Sequence, residues 1–168
     1  MGRARTGFPN RPHDHARCVT TVLAAAEAMA RTRRVRLTPL RRRVLEIVAR
    51  GHRPFGAYDV LAELAKAEPE RARVAPPTVY RALDFLLAQG LIHRIDSRNA
   101  FVTCFAPERP HRAHFLLCEA CGQATEIRDA ALAKALEGTA AAAGFSILRE
   151  TVEIAGRCAD CGAEVPRP

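Results

Sequence analysis

Successive helical patterns that give way to a two-strand pattern predict an α+β chain whose N-terminal part is a winged helix-turn-helix domain. A small C-terminal α/β domain with paired cysteines follows. Two further observations support the division. Residues 1–98 carry 19 Lys+Arg against 9 Asp+Glu, a balance of +10, whereas residues 99–168 carry 7 against 9, a balance of −2. Basic charge confined to one part of a chain points to nucleic acid as its partner. All four cysteines of the two Cys-x-x-Cys-Gly runs fall in the other part.

Each element has a local cause. Residues 1–14, "MGRARTGFPNRPHD", mix Pro, Gly and Arg without periodicity, which predicts an arm over 1–15. Helical spacing runs through Val19, Val22, Leu23, Ala26 and Met29. The next helix opens with Thr38 as N-cap and Pro39 in its first turn, buries Leu40, Val44, Ile47 and Val48, and stops at Gly51. A short helix covers "GAYDVLAELAKAEP". The clearest helix, Thr78–Gln89 with Thr78 as N-cap, carries the stripe Val79, Leu83, Leu86 and Leu87, with Gly90 as its stop. "LIHRIDSRNAFVTCF" reads as two strands around the turn Asp96-Ser97-Arg98-Asn99, which is the wing. The winged-helix domain is therefore 16–104, with a Pro-punctuated hinge at 105–110.

Residues 111–168 form the second domain. "HFLLC" and "QATEI" read as strands joined at Gly122. An Ala-rich helix ends at Gly144. Alternation through Phe145, Ile147, Val152 and Ile154 predicts a last strand with one buried face. No apolar run approaches the roughly 20 residues that a membrane span needs, and no secretion signal precedes the fold, so a cytoplasmic protein is expected. Six cysteines in such a setting read as metal ligands or buried thiols, not disulfides.

Cys118-x-x-Cys121-Gly and Cys158-x-x-Cys161-Gly are matching knuckles. Two such pairs supply four thiolates, the donor set of a closed structural zinc site. A dithiol redox pair would not need a twin. The pairs lie 36 residues apart, so the ion would staple the C-terminal strand to the rest of its domain and is not the centre of a compact finger.

A second group of donors lies outside the knuckles: His93, Cys104, His111, His114 and Glu126. One sulfur, two imidazoles and a carboxylate suit tetrahedral zinc, and the thiolate disfavours a hard-ligand Fe(II) or Mn(II) site. Taken singly, each residue reads equally well as a half-exposed side chain. "HDHARC" adds His13, His15 and Cys18 at a spacing that suits weak metal binding or a solvated arm.

The runs "LTPLRRRVLEIV", "AYDVLAEL" and "PPTVYRALDFLLAQGLIHRIDS" resemble the ferric uptake regulator family. "PPTVYRALDFLL", "LIHRIDS", "FVTCF" and the histidine before "FLLCEACG" are similar to its zinc uptake regulator branch, and the likeness spans residues 17 to 162. The resemblance implies a homodimeric repressor with an N-terminal winged helix and a C-terminal dimerisation domain. It implies two zinc ions per chain, one structural at the four knuckle cysteines and one regulatory. His93, Cys104, His111 and Glu126 match the regulatory ligands, with His114 as the alternative to His111. It also implies double-stranded operator DNA as partner, with no membrane and no catalysis. Tyr80 would pack on bases and Arg81 would reach a guanine edge or phosphate, helped by Thr78, Arg41, Arg42, Arg43 and Arg98, with Arg36 in addition.

Three other classes fit part of the pattern. A hydrolytic deaminase needs an H-x-E then P-C-x-x-C order that is absent here. An iron- or peroxide-responsive regulator of the same family fits less well because of Cys104. A structural zinc adaptor leaves the basic half unexplained.

Overall fold

The computed structural model describes residues 15–67, 74–104, 107 and 112–162. They fall into two compact units, one within Arg11–Pro110 and one within His111–Pro168.

In the first unit, α1 (His15–Thr32), α2 (Pro39–Val48), α3 (Ala57–Ala67) and α4 (Pro76–Ala88) surround one aliphatic core. Val22, Leu23 and Ala26 of α1 meet Val44, Leu45, Ile47 and Val48 of α2 and Val79, Leu83 and Leu86 of α4 there. These are the stripes that helical spacing predicts. The α2 N-cap is Thr38, whose side chain accepts from the Arg41 N–H, with Pro39 following. The helix ends at Val48, three residues before Gly51, because Ala49 already acts as its C-cap.

The start of α4 differs from expectation. Its N-cap is Ala75, without a side-chain bond, and two prolines occupy the first turn. Proline there costs no hydrogen bond, since those N–H groups have no intrahelical acceptor. Thr78 therefore lies inside the first turn and is not the N-cap. Gly90 stands at φ +68, the left-handed stop expected after the helix.

The wing pairs β2 (Ile92–Ile95) with β3 (Ala100–Thr103) in antiparallel register, Ile92 opposite Thr103 and Ile95 opposite Ala100. A 3-10 turn, Asp96–Arg98, and Asn99 at φ 45 connect them. Asn is among the few side chains that tolerate this left-handed conformation. A third strand, β1 (Phe55–Gly56), pairs with β3 and was not expected, since two residues carry no alternation to detect.

The second unit orders its sheet β5-β4-β6, with β4 (His114–Cys118), β5 (Ala124–Ile127) and β6 (Val152–Gly156). β4 and β5 form an antiparallel hairpin around Gly122, at φ +74. The crossover through α5 (Ala130–Ala142) returns β6 parallel to β4. Asp129 caps α5, accepting from the N–H groups of Ala131 and Leu132 at 2.7 and 3.2 Å. Gly144 ends the turn after α5 at φ +67.

The predicted last strand is shorter than the alternation suggested. Residues 145–151 are not extended strand, and the expected buried face is absent within the unit. Phe145 is 67% exposed and Ile154 48%. β6 is an edge strand, and α5 buries none of its residues.

Candidate metal centres and nucleic-acid interface

The register of β4 with β6 explains how a 36-residue gap closes. Parallel pairing sets Cys118 opposite Gly156, so the residues that follow each strand emerge side by side. The Glu119 N–H donates to the Gly156 carbonyl at 2.8 Å, and the Cys158 N–H points at the Cys118 sulfur, 3.4 Å away. Within each knuckle a backbone bond closes the turn: Gly122 N–H to Cys118 O at 2.9 Å, and Cys161 N–H to Cys158 O at 3.0 Å. Gly162 packs so closely that an added Cβ would lie 2.9 Å from the Cys158 carbonyl oxygen.

The four sulfurs lie within 4.8 Å of one another, and the Cys121–Cys158 pair is 3.9 Å apart. Thiolates bound tetrahedrally at about 2.3 Å would stand about 3.8 Å apart. The donor set thus fits zinc in number, type and spacing. All six cysteines are free thiols.

Electrostatics favour a cation there. N–H groups of Cys121 and Cys158, aimed at the Cys118 sulfur, hold its thiol down at about 6. The Cys158 thiol beside it, together with burial, pushes Cys161 up to about 12. Cys118 forms a thiolate readily, while the Cys121 and Cys161 thiols are pushed up. A cation at the centre favours the ionised form of its ligands.

The wing supplies a different pair. His93 faces Val102 across the ladder, and the Cys104 N–H donates to the Leu91 carbonyl at 3.0 Å, extending the register by one residue pair. Strand alternation therefore puts Cys104 on the same face as His93, as a diagonal neighbour. Their donor atoms approach within 4.8 Å, and Cys104 is fully buried. His93 is the second residue of β2, and Cys104 lies just past β3.

In the C-terminal unit, Glu126 sits on β5 with its side chain 9% exposed, and its Oε1 accepts from Arg128 Nε at 2.8 Å. His111 and His13 lie outside the described residues. His114, the alternative ligand, is buried on β4 and engaged elsewhere: its Nε2 meets Glu150 Oε1 at 2.5 Å. Arg112 binds the other Glu150 oxygen at 3.0 Å and Glu137 at 2.8 Å. That network is tertiary, so nothing in the local sequence could have announced it.

The α4 surface divides cleanly. Val79, Ala82, Leu83 and Leu86 face the core, while Thr78, Tyr80 and Arg81 are exposed. The α2 arginines already have partners. Arg41 stacks 3.6 Å over the Phe85 ring and donates to the Arg36 carbonyl at 2.7 Å. Arg42 pairs with Glu27 at 3.1 Å and Arg43 with Glu46 at 2.7 Å. The Arg42 pair ties α2 to α1 and the Arg41 stack ties it to α4, roles that sequence could not assign, while the Arg43 pair stays within α2. Arg98 is half-buried in the wing turn. Tyr58 on α3, 72% exposed, is an aromatic surface residue that sequence reasoning passed over.

Comparison with known proteins agrees with this architecture. The model of the ferric uptake regulator family matches residues 32–155. The zinc uptake regulation protein of Escherichia coli (strain K12) is 39% identical over 141 residues, covering 83% of this chain and 81% of that protein. A zinc uptake regulator complexed with zinc and DNA superposes with a TM-score of 0.78 at 38% identity, covering 85% of this chain and 94% of the other. Holo XcZur gives 0.75 at 42% identity, covering 84% and 96%. The chain belongs to the ferric uptake regulator family, on its zinc uptake regulator branch.

Proposed function

We propose that this protein is a zinc-responsive transcriptional repressor, a homodimer that binds palindromic operator DNA when its regulatory zinc is present and represses zinc uptake genes. The observation that carries this reading is the His93–Cys104 pair on one face of the wing, directly following the helix that exposes Tyr80 and Arg81. Its relatives include a zinc uptake regulator complexed with zinc and DNA.

Two zinc ions per chain are expected. Cys118, Cys121, Cys158 and Cys161 hold the structural one. His93, Cys104, His111 and Glu126 hold the regulatory one, which takes two donors from each of the two units. Filling that set requires the units to adopt one arrangement, and so fixes the spacing of two winged helices on DNA. In this reading no ligand position stays open for a substrate, so the protein is a regulator and not an enzyme. The thiolate of Cys104 favours zinc over the iron of a ferric or peroxide sensor.

Homodimerisation is supported by the unfinished C-terminal unit, where α5 buries no residue and Phe145, Leu148 and Ile154 are exposed. DNA contact falls to Thr78, Tyr80 and Arg81 on α4. Arg41, Arg42, Arg43 and Arg98 contribute positive potential, and the first three keep their internal partners. No helix among the described residues is long and apolar enough to cross a membrane; a cytoplasmic site of action is part of the proposal.

The test is a mobility shift on palindromic duplexes with a metal series, paired with zinc counts. Binding with zinc and not with iron, lost in Cys104→Ala while one zinc per chain remains, supports the reading. Unfolding of Cys104→Ala with loss of all zinc would mean the two sites have been exchanged.

A further inference from the structure

The connection between α1 and α2 concentrates positive charge that the fold leaves unneutralised. Residues 28–45 hold seven arginines and no Asp or Glu. Carboxylates from outside that run reach two of them, Glu27 at Arg42 and Glu46 at Arg43. Arg31, Arg34 and Arg36 are exposed, and no carboxylate pairs with them among the described residues.

The backbone adds an independent observation. α1 ends in a Schellman turn: the Val35 N–H donates to the Ala30 carbonyl at 3.0 Å, and the Arg34 N–H donates to the Arg31 carbonyl at 3.2 Å. Arg34 thereby takes φ 54, the left-handed position that glycine fills without strain. A cation does suit the C-terminal end of a helix, but Arg31 in the last turn of α1 already supplies one. Folding alone thus gives no reason for a long charged side chain at position 34, among like charges.

The same connection is docked on one row of α4. Arg81, Phe85 and Gln89 follow one another at i, i+4 and i+8. Arg33 Nη1 donates to the Gln89 carbonyl at 2.8 Å. Arg41, stacked over the Phe85 ring, donates to the Arg36 carbonyl. The arginine turn therefore lies along the flank of α4 that begins with exposed Arg81. A helix seated in the major groove has a sugar–phosphate strand along each flank.

Resting on the reading of α4 as the DNA-facing helix, we propose that Arg31, Arg34 and Arg36 form a second DNA-contact surface, which grips the phosphate strand beside the groove that α4 enters. Such contacts read no base, so they strengthen binding to every sequence alike.

The experiment measures binding of the full-length, zinc-loaded protein to a mixed-sequence DNA duplex across a salt series, beside Arg34→Gly, Arg31→Gln and Arg149→Gln. Each lost phosphate contact lowers the slope of log affinity against log salt by about 0.9, so Arg34→Gly should lower it by about 1.8 per dimer. Glycine suits the left-handed position, so that variant should melt no lower than the unaltered protein and keep its zinc. Weaker DNA binding by a chain at least as stable is a result that a merely structural arginine would not give. Arg31→Gln should lower the slope in the same direction. Arg149→Gln removes the same charge from the C-terminal unit and should leave the slope alone. An unchanged slope in Arg34→Gly, or an equal fall in Arg149→Gln, would overturn the surface. Failure of the unaltered protein to bind the duplex would instead remove the DNA reading itself, and this surface with it.

Discussion

The two units solve the problem of burial in different ways. The winged-helix unit closes its own core. Among the described residues, the largest fully buried side chains, such as Leu45, Ile47, Leu83 and Leu86, belong to it, and His114 is the one from the C-terminal unit. The C-terminal unit leaves α5 without a buried residue and exposes Phe145, Leu148 and Ile154. Among the described residues of the winged-helix unit, the exposed large hydrophobics are Tyr58 and Tyr80, which keep a polar tip in water. A unit with so little interior needs other sources of stability. A metal staple and a second copy are the two that its chemistry offers.

The sharpest way to break this contrast is to remove the staple. Cys118→Ser should abolish the structural zinc and unfold β4–β6, while α1–α4 stay folded. Apparent zinc binding in such sites is worth about 10–16 kcal/mol, more than a domain of this size can replace. Amide exchange read unit by unit, with zinc counting, checks it; equal protection in both units would contradict the contrast.

A core truncation should show the reverse. Leu83→Ala ought to destabilise the winged-helix unit by about 2–5 kcal/mol and leave the four-cysteine zinc in place. Thermal unfolding followed by zinc retention reads both effects.

Ile154→Asp, on the open edge of the C-terminal sheet, should shift the protein from dimer to monomer at constant zinc content. Sedimentation measures it, and an unchanged dimer would place the interface elsewhere. Smaller still, Asp129→Ala should cost about 1 kcal/mol by uncapping α5.

Acid provides a further probe of the staple. The Cys118 thiol is held down at about 6, below its ordinary value, so the folded unit favours its thiolate. Above that pH zinc meets a ready ligand. As pH falls through about 6 a proton competes for Cys118, and zinc retention should drop; a chelator-release assay across that range follows it.

Much of this contrast was legible in the sequence, because helical stripes and Cys-x-x-Cys-Gly spacing are local patterns. Val44, Ile47, Val79 and Leu83 announced the winged-helix core, and the knuckle cysteines announced their centre. What escaped was non-local or too short to carry a period. β1 has two residues, the pair of prolines moved the start of α4 ahead of Thr78, and Arg41 and Arg42 found partners on other helices. The alternation through Phe145, Ile147, Val152 and Ile154 predicts one buried face. The chain itself does not bury that face, since apolar spacing shows that a surface seeks cover but not what covers it.

The most direct test of the account is zinc affinity measured with and without a palindromic operator duplex. If donors of the wing and of the C-terminal unit share one ion, DNA must tighten zinc binding by the same factor as zinc tightens DNA binding. Equal zinc affinities in the two conditions would contradict it.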